Sequence, residues 1–153
     1  MLIMEKILFL RSVPILQNLK MSEMAYVAEI AKEIEVPKGI VLFHENEIGD
    51  CLYIVVSGQV EVIKTFEHKE KILAVLGEKE CVGEMSILDD EPRSATVKTN
   101  TNVFLLKITN DDFKELINEN PEIAFGVFKM FTGRIRKNQV ESETTTVIPS
   151  ISM

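Results

Sequence analysis

Between Ile40 and Ile108 the chain is a succession of short apolar runs cut by turn residues, with no pattern of crossover helices separating them. Val41–Phe43 gives way to the polar, glycine-containing stretch His44–Asp50. Leu52–Val56 follows, then Ser57-Gly58, then Gln59–Thr65. Ile72–Leu76 ends in Gly77-Glu78, and Ser94–Lys98 and Val103–Ile108 complete the set. In Gln59–Thr65, Val60, Val62 and Lys64 fall on one face and Glu61 and Ile63 on the other, the period of two that marks a strand. Strands this short and this closely spaced predict a sandwich or a jelly-roll barrel; a parallel sheet would need helices between them.

The flanks carry a different period. Val27, Ile30, Ala31 and Ile34 recur at helical spacing, with Ser22 placed to cap the start, so the chain reads as helical to about residue 35. Pro37-Lys38-Gly39 then breaks it. After the strands, Thr109 and Asp112 form a capping-box-like helix start, with Phe113, Leu116 and Ile117 on one face. Asn120-Pro121 opens a longer helix with an apolar stripe of Ile123, Ala124, Val127, Phe128, Phe131 and Ile135. The expected fold is mainly β with flanking helices: a jelly-roll (double-stranded β-helix) barrel with N-terminal helices and C-terminal lid helices. The expected domain is 1–143, with helices over 1–36, the barrel over 37–108, helices over 109–141, and a flexible tail at 144–153.

Charge narrows the function. A formal net charge of −7 counts against general nucleic-acid binding, which needs a positive face to neutralise phosphates. The dense basic patch Arg134, Arg136 and Lys137 reads as a solvated helix end. No run approaches the roughly 20 apolar residues that cross a bilayer. The apolar start, Met1–Leu10, is interrupted by Glu5 and Lys6, unlike a signal peptide. Cys51 and Cys81 sit inside apolar runs, far from a CxxC spacing, and read as buried free thiols of a cytoplasmic protein. His44 and His68 lack partners at metal-ligand spacing, so no metal is expected. With no nucleophile–base pair either, the chain does not read as an enzyme.

One stretch interrupts the strand rhythm, Val82-Gly83-Glu84-Met85-Ser86-Ile87-Leu88-Asp89-Asp90-Glu91-Pro92-Arg93-Ser94-Ala95-Thr96-Val97. Gly83 permits close backbone approach, and a helical turn over Glu84–Leu88 would direct free N–H groups outward, as an anion seat does. Arg93, held by the fixed φ of Pro92, can offer its planar fork to a phosphate. The residues leave two readings open. Glu84 and Arg93 pair with each other, or Glu84 accepts from a sugar hydroxyl while Arg93 takes an anion.

This stretch resembles the phosphate-binding cassette of the cyclic-nucleotide-binding domain family, which includes catabolite activator proteins, protein kinase A regulatory subunits and cyclic-nucleotide-gated channels. Gly49-Asp50-Cys51-Leu52-Tyr53-Ile54-Val55-Val56-Ser57-Gly58 is similar to that family's glycine-bearing strand pair, and the resemblance covers nearly the whole chain. It implies that Glu84 accepts the ribose 2′-hydroxyl. It also implies that Arg93 binds the cyclic phosphate with the backbone of Gly83, Met85 and Ala95 and the hydroxyl of Ser94. Leu73 and Ala74 would lie beside base and sugar, and Asn138 near the adenine. Val82 stands where the family often has a larger residue, and Ser86, counted with the ligand-binding residues that the resemblance implies, where alanine is frequent. Ser94 is the ligand-choosing position; its serine matches bacterial activators and favours cAMP over cGMP.

The resemblance thus implies a cytoplasmic sensor of a cyclic nucleotide that signals by rearranging its C-terminal helix. Its outward partner would be an effector domain or a second copy meeting that helix. The chain ends soon after the helix, where transcription factors of the family continue into a helix-turn-helix, so direct DNA binding is not expected. The alternative is a degenerate domain of the same fold that serves as an interaction module without nucleotide.

Overall fold

The structure is a computed structural model that describes residues 1–129 together with Thr132 and Gly133. Helix α1 (Ile3–Arg11), a 3-10 turn (Pro14–Leu16) and helix α2 (Met21–Ile30) precede eight strands. These are β1 (Lys32–Val36), β2 (Val41–Phe43), β3 (Cys51–Ser57), β4 (Val60–Phe66), β5 (Lys69–Leu76), β6 (Cys81–Val82), β7 (Thr96–Thr99) and β8 (Val103–Thr109). Helix α3 (Glu84–Asp89) lies between β6 and β7, and α4 (Asn110–Glu119) follows β8. A further helix, α5, starts at 122 and is described to 129.

The strands form two antiparallel four-stranded sheets, ordered β1-β8-β3-β6 and β2-β7-β4-β5. The mainly-β, jelly-roll expectation holds, but the sheets do not close into the expected barrel. Edge strands β2 and β6 have only three and two residues, too few backbone groups to bridge one sheet to the other, so the sheets pack face to face.

Strand β3 shows why the sandwich is stable. Leu52 and Ile54 pack into a core shared with α1, α2 and α4, while Cys51, Tyr53 and Val55 face the second sheet and meet Val60, Leu76 and Val97. With both faces covered, its sequence reads as a nearly unbroken apolar run. In β8 the faces separate the same way: Val103 and Leu105 lie between the sheets, Leu106 and Ile108 beneath the helices.

Helix does not extend to residue 35. It stops at Ile30, where Ala31 turns extended (φ −76°, ψ 120°) and the buried Lys6 amine donates to the Ala31 carbonyl. Residues Lys32–Val36 instead pair with β8, Ile34 opposite Leu105. The local sequence fits both periods, and the open edge of β8 selects the strand. Ser22 lies inside α2; the N-cap is Lys20, whose N–H donates to the Glu23 carboxylate at 2.9 Å. The Thr109 hydroxyl does cap α4, accepting the Asp112 N–H at 3.3 Å.

Asn120 is buried, and its side-chain amide donates back to the Leu116 carbonyl (3.2 Å), closing α4 as α5 begins. On α5, Ile123 and Val127 are buried in the helical core, but Phe128 of the expected stripe is 64% exposed. Gly126 lies against the Ile15 backbone, which turns the helix so that Phe128 faces out. Phe131, Ile135 and the basic patch at 134–137 lie outside the described residues.

Candidate functional site

The cassette runs from β6 through α3 to β7. Gly83 adopts φ +90°, a left-handed conformation that favours glycine, and serves as N-cap of α3. This sharp turn lets the Gly83 carbonyl accept from Arg93 Nη1 at 2.9 Å. The same Nη1 donates to Ser86 Oγ at 3.2 Å, and Nη2 donates to the Cys51 carbonyl at 2.6 Å. Arg93 is only 3% exposed. Its guanidinium carbon sits 3.9 Å from the centroid of Phe43, whose ring stacks on Tyr53 at 6.4 Å. A cation over an aromatic face is favourable, more so when desolvated.

Two glycines make the slot in which this side chain lies. A Cβ on Gly49 would stand 2.9 Å from Cζ and Nε of Arg93 and 2.7 Å from Ser86 Oγ; one on Gly83 would collide with Nη1. Nε, facing Gly49, is buried with no hydrogen-bond partner. The Arg93 backbone is fixed as well. Its N–H donates to the Glu47 carbonyl (2.7 Å) and its carbonyl accepts from Asn46 N–H (2.8 Å), which lays the 44–47 loop along the cassette.

Around this arginine the structure gathers most of the residues read from sequence. Glu84 is 2% exposed at the first position of α3, Met85 half-buried, and Ser86 buried against the guanidinium. Ala95 is buried and Ser94 exposed, the Ser94 carbonyl accepting from Lys64 Nζ at 3.0 Å. Leu73 and Ala74 are half-buried on edge strand β5. There Val62 pairs with Ala74 but Ile63 with Ile72, which leaves Leu73 as the extra residue of a bulge. Val62 and Ile63 pair in turn with Val97 and Thr96. Leu73 and Ala74 therefore stand level with the head of β7, two strands or about 10 Å away. Asn138 lies outside the described residues.

Sequence reading missed Phe43 as a shelf for the arginine, Gly49 as a wall of its slot, and the Cys51 carbonyl as its acceptor. Only Gly49 left a trace, as part of the glycine-bearing segment; a backbone carbonyl leaves none. The Cys51 thiol lies 3.9 Å from Nη2, and burial pushes its pKa up, so it stays protonated. Burial likewise pushes the Tyr53 phenol up. Cys51 and Cys81 are both buried, free thiols.

The cassette thus buries Arg93 in a slot lined by two glycines, two backbone carbonyls and an aromatic face, beside the start of α3. The family model described as "Cyclic nucleotide-binding domain" matches residues 33–120, and this chain belongs to that family. It is 30% identical over 124 residues to the CRP-like cAMP-activated global transcriptional regulator of Mycobacterium tuberculosis, covering 80% of this chain and 55% of that one. Among solved structures it is similar to the Thermus thermophilus catabolite activator protein, at 29% identity and TM-score 0.73 over 87% of this chain and 63% of that one. It is also similar to the regulatory domain of Toxoplasma gondii PKA solved with cAMP, at 26% identity and TM-score 0.71 over 74% and 44%. The chain thus spans about half the length of the bacterial regulator it matches. Among the described residues, no helix is long and apolar enough to cross a membrane.

Proposed function

We propose that this chain is a cyclic-nucleotide sensor, selective for cAMP over cGMP, in which Arg93 holds the cyclic phosphate and Glu84 the ribose 2′-hydroxyl. The observation that carries the reading is Arg93 itself, buried with an unpartnered Nε in a slot that Gly49 and Gly83 leave for its side chain. An unsatisfied buried donor on a cation costs free energy until an acceptor arrives. A phosphate oxygen supplies that acceptor and makes the bond charge-assisted on both sides. The backbone of Gly83, Met85 and Ala95 and the Ser94 hydroxyl complete the phosphate seat, Ser86 orients the guanidinium, and Leu73 and Ala74 flank sugar and base. Ser94 favours cAMP, and the cAMP named with the Mycobacterium and Toxoplasma relatives supports the same choice.

Signalling runs through α3. Ile87 on that helix is buried in the same core as Phe113 of α4 and Ile123 and Val127 of α5. A close-packed core passes displacement on without absorbing it, so a ligand that draws the cassette inward shifts α5 and the segment beyond it. In this reading the C-terminal helix, Asn138 included, closes over the nucleotide and presents its outer face to an effector domain or a second copy. The net charge of −7 supports action through a protein partner, without direct contact to DNA.

One observation favours a second reading, a domain that keeps the fold and binds no nucleotide: the Arg93 fork is already engaged by the carbonyls of Gly83 and Cys51. Calorimetry with cAMP and cGMP separates the two. Wild type binds cAMP more tightly than cGMP, and Arg93→Ala weakens binding about ten- to a hundred-fold, or about 1.4–2.7 kcal/mol. Equal affinity in wild type and Arg93→Ala would reject the role of Arg93, and no binding by wild type would favour the second reading.

A further inference from the structure

Beside the cassette, a second cation takes part in an arrangement that the ligand assignments above do not use. Lys64, on β4, carries its ammonium 3.3 Å from the Glu45 carboxylate and 3.0 Å from the Ser94 carbonyl. Glu45 follows β2, and the sheet order β2-β7-β4 places β2 and β4 on opposite sides of β7. The Lys64 and Glu45 side chains therefore meet over the chain where it enters β7. The ladder between β4 and β7 has its last rung at Ile63 and Thr96, so Lys64 stands one step past the paired region. There the ammonium replaces the missing strand bonds. The Glu45 N–H meanwhile donates to the Thr96 hydroxyl at 2.9 Å, tying the same loop to the same spot.

We infer that Lys64 is a positioning residue for the anion site, a deepening that rests on the cyclic-nucleotide reading above. The physical link is the peptide joining Ser94 to Ala95. A trans peptide is planar, with its C=O and N–H directed to opposite sides. Lys64 fixes the Ser94 carbonyl on one side and so aims the Ala95 N–H to the other, the group assigned above to the phosphate. The clasp also anchors the residue next to Arg93, whose own N–H and C=O are held by Glu47 and Asn46. Without it, Arg93 stays held by these bonds but the Ser94–Ala95 peptide between it and β7 is free to rotate. Lys64 and Glu45 are each partly exposed, so replacing either leaves the core intact.

The test measures cAMP affinity by calorimetry on the full chain, together with the Ala95 and Gly83 amide shifts on ligand addition. Lys64→Met weakens cAMP binding about five- to thirty-fold, a part of the loss that removing one hydrogen bond to a charged acceptor outright would bring. The ligand-induced Ala95 amide shift collapses while that of Gly83 persists. Lys64→Arg, which keeps the cation and donors, restores affinity to within about threefold of wild type. Should Lys64→Met fold poorly, Glu45→Gln reads the other half of the clasp, with a loss of about two- to five-fold. Wild-type affinity in Lys64→Met with an unchanged Ala95 shift overturns the inference and leaves the sensor reading intact. A wild type that binds neither cAMP nor cGMP overturns both.

Discussion

Gly49→Ala tests the arginine slot with a single methyl group. Gly83 needs its left-handed φ, so alanine there would confound strain with crowding. Gly49 has no positive φ, so its alanine variant reports crowding alone. The new Cβ would lie 2.9 Å from Cζ and Nε of Arg93 and 2.7 Å from Ser86 Oγ, well inside ordinary carbon contact distances of about 3.5–4.0 Å. The guanidinium has nowhere to retreat. The Gly83 and Cys51 carbonyls hold it at 2.9 and 2.6 Å, and Phe43 covers its face. Either it stays and the site is strained, or it swings out and leaves two carbonyls without their donor. Overpacking of this kind costs about 1–3 kcal/mol. For a chain of this size that lowers the melting midpoint by about 2–12 °C.

Since the methyl covers Nε, cAMP affinity falls at least about tenfold, or about 1.4 kcal/mol. The assay is thermal unfolding and calorimetry on Gly49→Ala, Arg93→Ala and the double variant. If the damage passes through the arginine, most of the stability cost of Gly49→Ala is lost in the Arg93→Ala background, where only the Ser86 Oγ contact remains, giving a coupling energy of about 1–3 kcal/mol. Gly39→Ala is the control. Gly39 has φ +87° with nothing within 4 Å of its Cβ, so it loses about 1 kcal/mol through strain and leaves affinity unchanged. Additive costs in the double variant, or wild-type affinity in Gly49→Ala, would refute the argument.

Two further outcomes follow from burial. Cys51 and Tyr53 have pKa values pushed up in the folded chain, so above about pH 8.5 and about pH 10, respectively, the unfolded state releases protons that the folded state keeps. Their contribution is whole below the unfolded values and is lost as pH rises, so the urea midpoint falls from about pH 8 upward. Cys51→Ala flattens the early part of that fall, and an identical profile in the variant would contradict the assignment. Phe113→Ala empties a fully buried position at the junction of α4 with the helical core. It costs about 3–5 kcal/mol by chemical denaturation, and a loss below about 1 kcal/mol would mean the core collapses around the gap.

The local chemistry of this chain was enough to determine several things. The six apolar runs between Val41 and Ile108 became strands because their period and turn residues allow little else. Thr109 capped α4, and Gly83 turned the chain into α3, because capping and positive φ are decided within a few residues. The residues of the cassette were legible for the same reason, since Glu84, Ser86 and Arg93 lie close together along the chain. What required the tertiary structure was every choice settled by distant partners. Lys32–Val36 became a strand because β8, some seventy positions on, offered it an edge. The sheets stayed open, with edge strands β2 and β6 only three and two residues long. The place of Arg93 was decided by Phe43, Gly49 and Cys51, whose contribution is a ring face, a missing side chain and a carbonyl. None of these is written in the pattern of neighbouring residues, because each acts through space that only packing creates.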